Sequence, residues 1–188
     1  MTRKPAHEIR IVGGLWKRTR LAVLDKPGLR PTPDRVRETL FNWLGHDLTG
    51  LRCVDAFAGT GALGLEAASR GAADVLLVEQ DPDLVARLRT LQAKLDATQV
   101  RVQRGNGLSV LAQLSPGSVD LIFLDPPFDA GIHEKALAAA RTALTAEGWM
   151  YLEAPVAWTD AALAPYRVSV HRHLKAGAVH AHLLRPVA

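Results

Sequence analysis

Val54-Asp55-Ala56-Phe57-Ala58-Gly59-Thr60-Gly61-Ala62-Leu63-Gly64-Leu65-Glu66-Ala67-Ala68-Ser69-Arg70-Gly71 reads as a strand end, a glycine turn and a helix stopped by Gly71. Glycines at 59 and 61 let the backbone approach a ligand where a Cβ would clash, and Gly64 lets the helix pack closely on the strand. Outward from this unit, Val75 to Val78 form a second strand that ends in Glu79. A carboxylate at that strand end, about 20 residues after the first glycine, can hold ribose hydroxyls.

The Gly59-x-Gly61-x-x-Gly64 spacing is also that of a dinucleotide site and does not by itself choose between ligands. Asp55 does. An acid at the end of the first strand repels a pyrophosphate but suits the ammonium and sulfonium of S-adenosylmethionine. A chain of 188 residues also leaves little room for the substrate domain of a dehydrogenase.

The second decisive stretch is Val119-Asp120-Leu121-Ile122-Phe123-Leu124-Asp125-Pro126-Pro127-Phe128. Its apolar run is too short for a helix and predicts a buried parallel strand, with Asp125 at the carboxyl end where open α/β sheets bind ligands. Two prolines stop both ladder and helix, so the Pro126 carbonyl is free to face a ligand beside the Asp125 carboxylate, with the Phe128 ring beyond. An acid, a fixed carbonyl and an aromatic face suit the grip of an exocyclic amine on a planar base that stacks on Phe128.

Elsewhere the pattern alternates. Thr32 is expected to cap a helix whose first residue is Pro33 and whose apolar face is Val36, Leu40, Trp43 and Leu44. A helix from Pro82 to Leu95, a strand from Val100 to Gln103 followed by the polar Asn106, an Ala-rich helix over residues 133 to 144, and a strand from Trp149 to Glu153 follow. Asn106 either reads an adenine edge or bonds its own turn. Strand and helix in alternation from Leu51 to Glu153 predict a doubly wound, mostly parallel sheet. The tail then predicts an antiparallel hairpin turning at Ala176-Gly177. In that register His173 faces His180 and His171 faces His182, a pattern that fits a sheet face better than a metal site, since no carboxylate or cysteine joins them.

Net charge is +4, but residues 1 to 50 carry +5 and residues 51 to 188 carry −1. Such asymmetry points to a polyanion partner for the first quarter, most simply nucleic acid. Arg10, Lys17, Arg18 and Arg20 flank a small hairpin containing Trp16, and Arg30, Arg35 or Arg37 is expected to face the cleft and bind phosphate. This segment is expected to be partly mobile until RNA arrives. No stretch has the length of a membrane span, no secretory signal is read at the start, and the lone Cys53 is read as a buried hydrophobe in a reducing cytosol.

With these motifs in place the sequence resembles the RsmD family of bacterial 16S ribosomal RNA guanine-N2 methyltransferases. The resemblance is carried by Ile9 to Gly14, Leu29 to Leu44 with its Arg-Pro-Thr-x-Asp-Arg-Val-Arg-Glu block, Asp55 to Gly71, and Asp125 to Phe128. It implies a Rossmann-like class I S-adenosylmethionine-dependent α/β methyltransferase domain over 33–188, a seven-stranded sheet whose last strand is antiparallel, and a basic RNA-contacting extension over 1–32. In that picture Asp55, Phe57, Gly59, Gly61, Glu79 and Asn106 hold the donor. Asp125, Pro126 and Phe128 hold the base, while Arg10, Lys17, Arg18, Arg20, Arg30, Thr32, Arg35 and Arg37 serve the RNA. The implied acceptor is a guanine (guanine-966 type) of 16S ribosomal RNA in the small ribosomal subunit, and the protein is expected to be a cytoplasmic monomer. Asn106 stands where related enzymes often have Asp, and Ala181 where the hairpin usually has an aromatic. The rival readings are an amino-group methyltransferase with another base as target and a non-catalytic RNA-binding assembly factor.

Overall fold

The computed structural model describes residues 8–26, 29, 31–128 and 131–187. A two-stranded ribbon, β1 (Glu8–Arg10) and β2 (Arg20–Ala22), leads into helix α1 (Asp34–Leu44). The main domain then runs β3 (Arg52–Asp55), α2 (Ala62–Ser69), β4 (Asp74–Glu79), α3 (Pro82–Lys94), β5 (Val100–Arg104) and α4 (Gly107–Gln113). It continues with β6 (Val119–Leu124), α5 (Ile132–Ala143), β7 (Leu144–Ala154), the short α6 (Asp160–Leu163), β8 (Val168–Ala176) and β9 (Val179–Pro186). The large sheet has seven strands in the order β5-β4-β3-β6-β7-β9-β8, parallel except for β9, which is antiparallel to both neighbours. This is the class I methyltransferase sheet that the resemblance implies. Among the described residues no helix is long and apolar enough to cross a membrane.

Strand β6 shows why the sheet is central. Leu121 and Phe123 enter the core on one face, and Val119, Ile122 and Leu124 enter a second core on the other. Covered on both sides, such a strand must be apolar where it is covered, and Leu121 to Leu124 obey; Asp120, near its start, is partly exposed and pairs with Arg52 at 2.9 Å. Helix α3 starts where chain chemistry dictates: Asp81 accepts from the N–H groups of Asp83 and Leu84, with Pro82 at the first position.

Four local expectations are corrected. Helix α1 begins at Asp34 behind Pro33, so Thr32 is not its cap, and Phe41 is buried where Trp43 is only half-buried. Strand β7 starts at Leu144, before the expected Trp149, because an irregularity near Val119 lets its first residues pair. The tail hairpin turns at Gly177-Ala178, with Ala176 opposite Val179. Gly177 takes φ +62°, and glycine at the first central position is what a type II′ turn requires. His173 therefore faces His182 and His180 faces Lys175, while His171 falls in a bulge and lies against Trp149. Finally, the basic ribbon is already packed: Ile9, Ile11 and Leu21 belong to the same core as α1 and α2.

Candidate active site

Asp55 pairs in register with Phe123, and Phe123 with Tyr151. Because side chains alternate across a strand, Asp125 and Glu153, each two residues further on, share the face of Asp55. Three carboxyls thus stand in a row at the carboxyl ends of three adjacent strands, where an open parallel sheet presents its ligand crevice.

Their environment is unusually dry. Asp55 is fully buried; its Oδ2 accepts from the Gly64 N–H at 3.1 Å, and its Oδ1 has no partner. Burial, partly opposed by the Gly64 and Phe57 N–H groups and reinforced by Glu79 and Glu153, pushes its carboxyl up to about 7. An orphaned carboxylate oxygen in such a place calls for a cation or a hydrogen-bond donor. Asp125 is also raised well above the ordinary carboxylate range, first by burial, then by the charges of Glu153 and Asp55.

Glu153 is held by two donors on one oxygen: Thr32 Oγ1 at 2.7 Å and Tyr151 Oη at 2.8 Å both reach Oε1. Its carboxyl is raised by burial against the pull of those two hydrogen bonds. His133, on the first turn of α5, donates from Nε2 to the Glu153 carbonyl at 3.2 Å and sits 6.2 Å, ring to ring, from Phe128. Pro126 is buried, while Phe128 is 47% exposed beside it, an aromatic face left open to a partner. Cys53, whose thiol burial pushes up to about 12, has no nucleophilic part to play.

The glycine turn is laced to the next strand end. Glu79 accepts from the Gly59 N–H at 2.9 Å through Oε2 and from the Asp81 N–H at 2.8 Å through Oε1, leaving lone pairs for hydroxyl donors. Gly61 has φ +81°, and a Cβ there would meet Leu88 at 2.6 Å, so this glycine also admits the packing of α3. Gly107 is a second packing glycine: its Cβ would lie 2.1 Å from the Ala56 carbonyl oxygen. Asn106, an exposed residue, caps α4 through Oδ1, which accepts from the Ser109 N–H, the turn-bonding alternative. Phe57 packs half-buried against the neighbouring core.

The structure divides the basic residues. Arg10, Lys17, Arg18, Arg20 and Arg35 are exposed, Arg20 pairing with Glu8 at 3.3 Å. Arg30 lies outside the described residues. Arg37 is corrected: it is wholly buried and engaged by Asp34, by Glu66, by the Arg10 carbonyl and by the Thr32 carbonyl, so it cannot meet phosphate. Thr32 is likewise buried and turned to Glu153 rather than to RNA.

Two residues matter that sequence reasoning passed over. Glu66 is fully buried and accepts from the N–H groups of Val12 and Gly13 and from Arg37 and Arg70, so one carboxylate fastens ribbon, α1 and α2 together. An acid inside an otherwise apolar helix was the available signal, since a buried charge must be paired. Lys26 reaches Asp81 and Asp83 at 2.6 and 2.7 Å, tying the segment after β2 to the corner that carries Glu79.

Comparison with known proteins gives the chain its relatives. Residues 9–185 match the protein family described as "Conserved hypothetical protein 95". The ribosomal RNA small subunit methyltransferase D of Escherichia coli K12 is 42% identical over 187 residues, which take in 94% of this chain and 91% of that protein. The protein of the same name from Haemophilus influenzae is 43% identical over 134 residues, 70% of this chain and 69% of its own length. The solved structure of Escherichia coli yhhF superposes with a TM-score of 0.83 at 42% identity, covering 97% of this chain and 99% of that one.

Proposed function

Because this chain belongs to the conserved hypothetical protein 95 family, the RsmD family of ribosomal RNA methyltransferases, we propose that it methylates 16S ribosomal RNA in the small ribosomal subunit. The acceptor is the N2 amine of a guanine, and the donor is S-adenosylmethionine, which when bound supplies an electrophilic sulfonium methyl. The observation that carries the reading is the unpartnered, buried Asp55 oxygen at the end of β3, with Asp125 and the open Phe128 ring at the end of the adjacent β6, a site that fits a cationic donor on one side and a stacked base on the other.

The chain's own groups do the positioning. The Asp125 carboxylate and the Pro126 carbonyl accept the two amine hydrogens, which orients the nitrogen lone pair toward the methyl. Phe128 stacks the base. With the donor bound and its methyl transferred to nitrogen, the amine would carry a surplus proton, and Asp125, whose carboxyl is raised by burial and by its acidic neighbours, would take it. Alignment of this kind is worth about 7–11 kcal/mol of barrier. Asp55 faces the donor's ammonium, Glu79 its ribose, and the exposed cations of the ribbon, Arg10, Lys17, Arg18 and Arg20, with Arg35, serve the RNA backbone.

The test is Asp125→Ala, assayed with radiolabelled donor on small ribosomal subunits, naked RNA and duplex DNA. Transfer to the subunits is lost while S-adenosylhomocysteine still binds; near-normal turnover of the variant would refute the role of Asp125.

A further inference from the structure

A cavity of about 480 Å³ lies between the ribbon and α1, lined among others by Lys17, Glu38, Asn42, His46 and Arg70. It is not part of the site described above. Helix α2 leaves the glycine turn at the ligand edge, and its eight residues cover about 12 Å at 1.5 Å each before Arg70. The Arg70 carbonyl then accepts from the Leu48 N–H, just ahead of β3, so the cavity sits at the amino ends of the strands, opposite Asp125.

Its walls are built. The Arg70 side chain is 7% exposed, bonded to Glu66 through Nε at 2.9 Å and laid over the Phe41 ring with Cζ 4.7 Å from the centroid. Gly13 makes room for it, since a Cβ there would come within 2.2 Å of Nη2. Nη1 is 3.5 Å from His46 Nδ1, at the cavity wall. A guanidinium fixed in this way loses little freedom on meeting an anion. Exposed Lys17 supplies a second cation. Glu38 and Asn42 stand four apart on α1 and share one face, and His46 follows just past the end of the helix, so the three polar groups line the cavity together. Cations on one wall and amide and carboxylate groups on the other match the two ends of a nucleotide, a phosphate and a base edge that carries donors. The volume is also that of a small-ligand pocket.

We propose that this cavity seats one unpaired nucleotide of the RNA substrate, remote from the methylated base, its phosphate between Lys17 and Arg70 and its base edge against Glu38 and Asn42. This rests on the reading that the substrate is RNA. It means that the RNA footprint runs the length of α2, from Asp125 to the far end of the ribbon, so recognition requires a folded RNA that presents both points at once.

The test uses Lys17→Ala and Asn42→Ala, both exposed positions that leave Arg70 and Glu66 in place, with Arg89→Ala on α3 as a charge-matched control. Equilibrium binding of unmethylated small ribosomal subunits is measured apart from turnover and across a salt series. Binding weakens about five- to tenfold in each cavity variant, and the slope of log affinity against log salt shrinks by about 0.7–0.9 for Lys17→Ala but not for Asn42→Ala. KM for the subunits rises in parallel, kcat and S-adenosylhomocysteine affinity stay put, and Arg89→Ala moves nothing. Equal losses in Lys17→Ala and Arg89→Ala with none in Asn42→Ala would overturn the cavity in favour of general charge attraction. A wild-type protein that binds subunits through this cavity yet transfers no methyl group would instead refute the proposed activity.

Discussion

The Thr32 hydroxyl donates to the Glu153 carboxylate at 2.7 Å, joining residues 121 positions apart in the chain. Through this bond the segment that precedes α1 closes on the end of β7, beside the acid proposed to hold the target amine. Glu153 is therefore both a fastening for the amino-terminal segment and a negative charge next to Asp125, and the two roles can be separated.

Glu153→Gln keeps an acceptor oxygen for Thr32 and Tyr151 but removes the charge. Asp125 is raised by burial first and by Glu153 second, so losing that charge lowers its carboxyl toward the ordinary range. The acid limb of the kcat/KM profile then moves to lower pH. An unshifted limb would show that the Glu153 charge does not govern Asp125.

Donor binding should depend on pH through Asp55. With its carboxyl pushed up to about 7 in the free protein, a bound ammonium must first have the proton removed at lower pH. Affinity for S-adenosylhomocysteine should climb between about pH 6 and 8, approaching tenfold per unit on the acid side, and then level off. Isothermal titration at several pH values measures this, and Asp55→Asn should flatten the curve.

Glu66→Ala removes one acid and leaves the fully buried Arg37 with Asp34 as its remaining acidic partner. Breaking a buried ion pair from one side costs about 3–5 kcal/mol. Urea unfolding reads the loss, and amide exchange should rise first at Val12 and Gly13, whose N–H groups lose their acceptor.

Acid stability should depend on His182. Its ring is buried, with Nε2 accepting from the Trp158 N–H and Nδ1 against the Leu152 carbonyl, an arrangement that requires the neutral form. Burial is the first cause that depresses it, to about 4 from an ordinary 6.5. Because the folded value is the lower one, this contribution is complete above about pH 6.5 and is lost as pH falls through about 4. The melting temperature of His182→Gln, followed from pH 7 to about 4, should fall less steeply than that of the wild type.

The alternation of the parallel strands with α2, α3 and α5, the strand-end acids Asp55, Glu79 and Asp125, and the ring of Phe128 were legible in the chain, whereas the short helices α4 and α6 were not. The legible features rest on short-range rules: alternation along a strand, apolar coverage of both faces of β6, left-handed turns reserved for glycine, and prolines that end a ladder. What only the tertiary structure decided was the company each charge keeps. Arg37 and Arg35 stand two residues apart in one basic block, yet one is buried and the other exposed, because an acid 29 positions away from Arg37 on α2 receives it. Glu66 itself is satisfied by ribbon N–H groups 53 and 54 positions back. The tail hairpin shifted by one residue for a similar reason: the position of a positive φ sets which histidines meet, and sequence spacing allows either turn. Local periodicity tells a residue which face of its own element it occupies. Whether that face meets water or a counter-charge depends on chain that arrives from far away, through contacts that no local pattern encodes.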